Sequence, residues 1–184
     1  MRSHAPLAAM AGLLLLAFAS AAPSQAAVSS ASQSAVSFKA AGPGMTIEGT
    51  TSSLSVVEQD GTVTITVPLA NLTTGIALRD SHMRDKYLEV QKYPTAVLTV
   101  ARSAMQLPAA GAQGHGDSPA SIQIHGQTRP CTVHYDVTAD GAGFAVKGKL
   151  QVNMNAFGIT VPSYLGVTVK PDVDIAANFR VEGT

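Results

Sequence analysis

Arg79, Asp80, Ser81 and His82 stand in consecutive positions of a chain in which only 13% of residues are charged. A hydroxyl, an imidazole and a carboxylate are the parts of a hydrolytic triad: the imidazole takes the hydroxyl proton and the carboxylate orients the imidazole. The spacing argues against that use. Neighbours on a helix point about 100° apart, so Ser81 and His82 do not share a face. A nucleophile and its base must meet within hydrogen-bond reach. The sequence also lacks G-x-S-x-G, H-E-x-x-H and a phosphate-cradling glycine loop. A small hydrolase using Asp80 and His82 is therefore the weakest function class, and no catalytic residue is assigned.

Metal chemistry fares little better. His82, His115, His125 and His134 are scattered at no recognised ligand spacing, and Cys131 is the chain's one cysteine. No metal and no cofactor is expected, and Cys131 has no partner for an intramolecular disulfide. It shares the alternation of Val133, Tyr135 and Val137, which predicts a buried small apolar side chain rather than a nucleophile.

The element that carries Arg79–His82 reads more simply as a helix with one buried stripe. Met83, Tyr87 and Val90 fall at i, i+4 and i+7, which places them on one face and predicts a short helix near residues 80–92. Asp80 and Arg84 form an i, i+4 pair worth a few tenths of a kcal/mol. Ser81 or Asp80 is suited to cap the start. Tyr93-Pro94 ends it, because the residue before proline is pushed toward extended geometry. Such a helix would sit between two strands and cover one end of the fold.

The rest of the chain reads as strands. In Phe144 to Met154 the even positions are Phe144, Val146, Gly148, Leu150, Val152 and Met154, with lysines, Gln151 and Asn153 among the odd ones. From Val167 to Val181 the odd positions are mostly apolar. Each is a long strand with one dry face. Residues 36–38, 45–47, 63–67, 98–100, 122–124 and 133–137 alternate in the same way, giving about eight strands. Asp60-Gly61 and Asp140-Gly141 are hairpin signals. Residues 109–119, rich in Gly, Ala and Pro, read as a loop. An all-β, antiparallel sheet of this length with a single apolar face must close into a barrel or fold over into a two-sheet sandwich.

The first residues read as an export signal. Arg2 and His4 precede a largely apolar run over residues 7–22, and small residues follow at the site a signal peptidase reads. Cleavage is expected after Ala26, giving a signal peptide of 1–26 and a single domain of 27–184, with no stable membrane insertion. Acidic and basic residues number 12 each, and no basic block is present, so nucleic acid is not an expected partner.

Three blocks resemble the YceI-like family of exported, polyisoprenoid-binding barrels of lipocalin-like shape. They are VPLANLTTGIALRDSHMRDKYLEVQKYPTAVLTV (67–100), IQIHGQTRPCTVHYDV (122–137) and LQVNMNAFGITVPSYLGVTVKPDVDIAANF (150–179). The first carries an R-D-x-H-M-(R/K) core and a tyrosine-proline strand entry; the third carries F-G-I before the last long strand. The resemblance implies an extended antiparallel barrel around an apolar tunnel, in a periplasmic protein. It would hold an isoprenoid lipid, either a polyprenyl lipid or a quinone tail, as ligand rather than cofactor, and make no bonds.

Strand parity then selects the inward positions: Phe38, Ile47, Val63, Ile65, Val67, Leu98, Ile122, Ile124, Val133, Tyr135, Phe144, Val146, Val152, Met154, Ile175 and Phe179. Phe157 and Tyr164 are expected at the rim. Burying a methylene is worth about 0.8 kcal/mol, so a few five-carbon units offer on the order of 10 kcal/mol before the cost of ordering the chain. The same parity also describes a solidly packed core, so a non-catalytic stress or interaction protein stands as the alternative. Pairing of two copies through a strand edge is the one protein partnership the fold class suggests.

Overall fold

The computed structural model describes residues 27–29, 32–141, 143–164 and 166–182; the expected signal peptide lies outside them. The strands are β1 (Ala27–Ser29), β2 (Ser32–Gly42), β3 (Met45–Thr51), β4 (Ser55–Gln59), β5 (Thr62–Pro68), β6 (Thr95–Ala101), β7 (Gln113–Ile124), β8 (Gln127–Asp140), β9 (Gly143–Asn153), β10 (Ser163–Tyr164), β11 (Val167–Thr168) and β12 (Asp172–Glu182). A ten-stranded sheet runs in the order β1-β4-β5-β6-β7-β8-β9-β12-β2-β3, while β10 and β11 form a separate small hairpin. All pairings are antiparallel. The class is the all-β barrel with one short helix that the sequence predicts, and the sheet adds β1 and β4 to the strands read from alternation.

The sheet curls so that its apolar face is enclosed, and its ladder stays open between the edges β1 and β3. At the β3 edge, Thr50 and Thr73 exchange two backbone hydrogen bonds, of 2.8 and 3.0 Å. Part of one edge is therefore already occupied from within the chain.

Turn chemistry sets the hairpins. Asp60 and Gly61 both have positive φ between β4 and β5, as do His125 and Gly126 between β7 and β8. Both are the two-residue hairpin pattern whose twist matches the flanking strands. The second has no Asn or Asp before its glycine and gives no such signal in the sequence.

Three elements depart from the sequence reading. The expected loop at 109–119 is mostly strand: β7 begins at Gln113 and pairs with β8 from Gln113↔Thr138 to Ile124↔Gln127. One of the glycines that suggest a loop, Gly116, is needed for close approach. A Cβ on Gly116 would lie 2.7 Å from the Tyr135 hydroxyl directly across the ladder.

The expected strand from Val167 to Val181 is broken at Pro171, which has no N–H to donate to a ladder. β12 starts at the next residue. Before the break, the Val169 and Lys170 amides turn to the carbonyls of Pro162 and Ala41.

The helix starts earlier and is shorter than expected. α1 spans Ala77–His82 and continues as one wide π-helical turn, Met83–Tyr87, closed by the Leu88 amide donating to the Met83 carbonyl. Ile76, not Ser81 or Asp80, takes the N-cap position and makes no side-chain cap. Val90 lies beyond the helix, where its amide reaches the Arg84 carbonyl and its side chain packs with Leu69 and Leu72.

Candidate functional site

The sheet encloses a cavity of about 930 Å³. Its walls follow from register. Val56, Ile65, Leu98 and Ile122 sit opposite one another across β4, β5, β6 and β7. On the facing wall, Phe38, Ile175 and Leu150 form a second row across β2, β12 and β9. Side chains of one parity therefore stack into apolar tiers, as inward positions of a barrel must.

All the positions selected by parity line this cavity. Phe38 and Ile47 come from β2 and β3, and Val63, Ile65 and Val67 from β5. Leu98, Ile122, Ile124, Val133 and Tyr135 line it from β6, β7 and β8, and Phe144, Val146 and Val152 from β9. Met154, Ile175 and Phe179 complete the set. Phe157 is not at a rim: it is 3% exposed and packs with Met154 and Ile159 in the core. The Tyr164 side chain lies outside the described part of the structure.

Parity missed neighbours that obey it. Val36 and Ala40 flank Phe38, Val100 follows Leu98, and Leu150, Val173, Ala177 and Val181 continue the inward rows of β9 and β12. A second group comes from the helix: Met83, Tyr87 and Leu88 line the cavity, with Ile76, Leu78, Arg79, His82 and Lys86. The i, i+3, i+4, i+7 spacing of Arg79, His82, Met83 and Lys86 was the available signal. It mixes charge with apolar residues, which hides a cavity-facing stripe.

Polar groups at the cavity are few and mostly occupied. Ser118, 1% exposed, donates to the Ala104 carbonyl at 2.7 Å. The Tyr135 hydroxyl accepts the Gln106 amide at 2.7 Å. Glu58 and Arg102, in the wall away from the helix, lie 3.8 Å apart as an ion pair.

The residues that suggested chemistry are arranged for something else. The Asp80 carboxylate accepts the Thr73 hydroxyl at 2.6 Å, the Thr74 amide at 2.7 Å and the Thr74 hydroxyl at 2.5 Å. These bonds, led by those from the Thr73 and Thr74 hydroxyls, stabilise the ionised form and hold its pKa down at about 2. Arg79 binds the same loop, donating from Nε to the Thr74 hydroxyl and from Nη2 to the Thr74 carbonyl. Ser81 donates to Asp85, and among the described residues no hydrogen bond joins His82 to Ser81 or Asp80. The cluster is thus a clip that fastens the helix to Thr73–Thr74, which is itself stitched to β3 through Thr50.

The other histidines are dispersed. His134 meets Asp117 at 2.6 Å on the exposed strand surface. His115 sits exposed on β7. His125 contacts the Phe157 carbonyl through Nδ1 and Glu89 through Nε2, with Tyr93 packed on its ring. Among the described residues, no three His, Cys, Asp or Glu side chains converge as a metal site does. Cys131 packs beside the main core cluster, and burial pushes its thiol pKa up, away from the reactive thiolate.

Fold and site together define an antiparallel barrel that encloses a large, mostly apolar cavity. A model of the YceI-like domain matches residues 23–181, and the chain belongs to this family. Its fold is shared by solved structures of low sequence identity. A polyisoprenoid binding domain from Saccharophagus degradans, implicated in plant cell wall breakdown, is 19% identical with a TM-score of 0.71, covering 85% of this chain and 98% of that one. BcnA of Burkholderia cenocepacia is 20% identical with a TM-score of 0.65, covering 80% and 96%. The YceI protein of Campylobacter jejuni is 15% identical with a TM-score of 0.57, covering 75% and 85%. No curated protein matches the chain by sequence.

Proposed function

We propose that the protein binds and carries an isoprenoid lipid, a polyprenyl lipid or a quinone tail, inside the barrel and performs no bond chemistry. The observation that carries this reading is the apolar cavity of about 930 Å³. Well-packed interiors hold few voids larger than a water molecule. At about 24 cal/mol per Å³, even a third of this volume held empty costs about 7 kcal/mol, comparable with the stability of a whole small domain. A filled cavity removes that cost, which disfavours the alternative of a solidly packed interaction protein.

The lining suits a tail rather than a headgroup. Aliphatic tiers such as Ile65–Leu98–Ile122 offer area and dispersion without directional bonds, so they favour a flexible hydrocarbon over a polar solute. The inward residues named from strand parity are the proposed contacts, and Phe157, expected at the rim, is not among them. The resemblance of its fold to a polyisoprenoid binding domain supports the same ligand class. Non-catalytic action is supported by the clip geometry, in which Asp80 and Ser81 are bonded elsewhere. The reading includes export to the periplasm after cleavage near Ala26, consistent with a carrier working between membranes.

The test is an affinity series with isoprenoid quinones of increasing tail length, delivered from detergent micelles. Affinity is expected to rise with each added unit until the tail fills the cavity, and the free headgroup is expected not to bind. Affinity independent of tail length would refute the reading.

A further inference from the structure

Among the described residues, the two large apolar side chains that stand out in solvent are Ile76 and Leu78, 53% and 68% exposed. Both also line the cavity, so they must sit at an opening of it. Exposed apolar residues scattered singly need no explanation. Two together, on the lip of an apolar cavity, do.

Beside them, the helix turns Arg79, His82 and Lys86 toward the same opening. His82 and Lys86 are exposed, and neither takes part in any hydrogen bond or ion pair among the described residues. The Arg79 guanidinium is fixed by Thr74. The acidic groups of this element are directed elsewhere: Asp80 is buried in its bonds to Thr73 and Thr74, Asp85 is bonded to Ser81 and does not line the cavity, and Glu89 pairs with His125. The lip therefore combines apolar side chains with cationic ones and carries no acidic group of its own helix.

We propose that this lip is a docking surface for the anionic face of a lipid bilayer, on which the barrel seats while an isoprenoid chain passes between membrane and cavity. The proposal rests on the carrier reading. An apolar tail crossing open water exposes its whole surface; a lip pressed into the interface lets it slide from one apolar medium to another. Apolar side chains with adjacent cations are the combination that peripheral attachment to anionic lipid uses. Each cation near such a surface strengthens binding about fivefold, an effect that salt screens.

The test uses ligand-free protein and vesicles of 30% phosphatidylglycerol in phosphatidylcholine, read by flotation. The wild type should float with these vesicles, detach as salt is raised and bind poorly to pure phosphatidylcholine. Leu78→Ser combined with Lys86→Gln should weaken association about tenfold or more, with an unchanged circular dichroism spectrum. Failure of the wild type to float, or equal flotation of the double variant, overturns the proposal. So does flotation only when the vesicles contain isoprenoid, which would assign the lip to the ligand. Uptake of an isoprenoid quinone from detergent micelles by the same wild-type preparation separates the two ideas. Uptake without flotation removes docking alone, whereas flotation without uptake supports docking and removes the carrier reading.

Discussion

Phe38 and Gly49 face each other across the β2–β3 ladder, and the Phe38 ring occupies the space that a Cβ on Gly49 would need. The ring lines the cavity, so the absent side chain on β3 sets how far the ring projects inward. Such close approach is one of the reasons glycine appears inside a strand.

Gly49→Ala places a methyl between that ring and the Thr73 carbonyl, 3.1 Å away. The expected result is a loss of about 1–3 kcal/mol from overpacking, together with weaker isoprenoid uptake as the ring is driven into the cavity. Urea denaturation and a binding titration measure the two effects separately. Unchanged stability and affinity would show that the ring is free to move.

Asp80 predicts a specific acid response. Its pKa is lowered from 3.8 to about 2 by the bonds from Thr73 and Thr74. A lowered folded-state value means that its contribution to stability is present above pH 3.8 and is lost as pH falls toward about 2. Asp80→Asn should be less stable than the wild type at neutral pH, and the difference should shrink over that acid window. A difference between the two that stays constant from pH 6 to pH 2 contradicts the clip.

Tyr135 tests why β7 continues through a glycine-rich stretch. Its ring lies over Gly116 and its hydroxyl accepts the Gln106 amide. Tyr135→Phe keeps the ring and removes the acceptor, so stability should fall by about 1 kcal/mol. Amide exchange at Gln106 should quicken as well; protection equal to the wild type would mean that another acceptor serves.

Ala177 lies between Gly148 and Val36 in the β9–β12–β2 register and lines the cavity. Ala177→Phe puts a ring into the cavity beside the Val56–Val63–Phe179 cluster against which Ala177 packs. Stability should fall by no more than about 3 kcal/mol, while isoprenoid affinity drops about tenfold or more, the equivalent of roughly 1.4 kcal/mol. Full affinity in a folded variant would place the ligand elsewhere.

These sites differ in how far the sequence revealed them. Phe144 to Met154 alternates without interruption, so β9 and its inward row were legible, as were Ile65, Leu98 and Ile122. Gly114 and Gly116 hid β7; what suits Gly116 to a strand, room for the Tyr135 ring, lies on another strand. The Asp80 clip was equally invisible: its partners Thr73 and Thr74 precede the helix and matter only because Thr50 holds them. Arg79, His82 and Lys86 have helical spacing, but their place at a cavity opening depends on how the helix meets the barrel.

An isoprenoid chain held in the cavity would survive purification. Protein purified without detergent, extracted into organic solvent and examined by mass spectrometry tests it most directly, with a second sample first incubated with excess isoprenoid quinone. About one prenyl lipid per chain is expected in at least the incubated sample, retained through gel filtration. An empty barrel in both samples would contradict it.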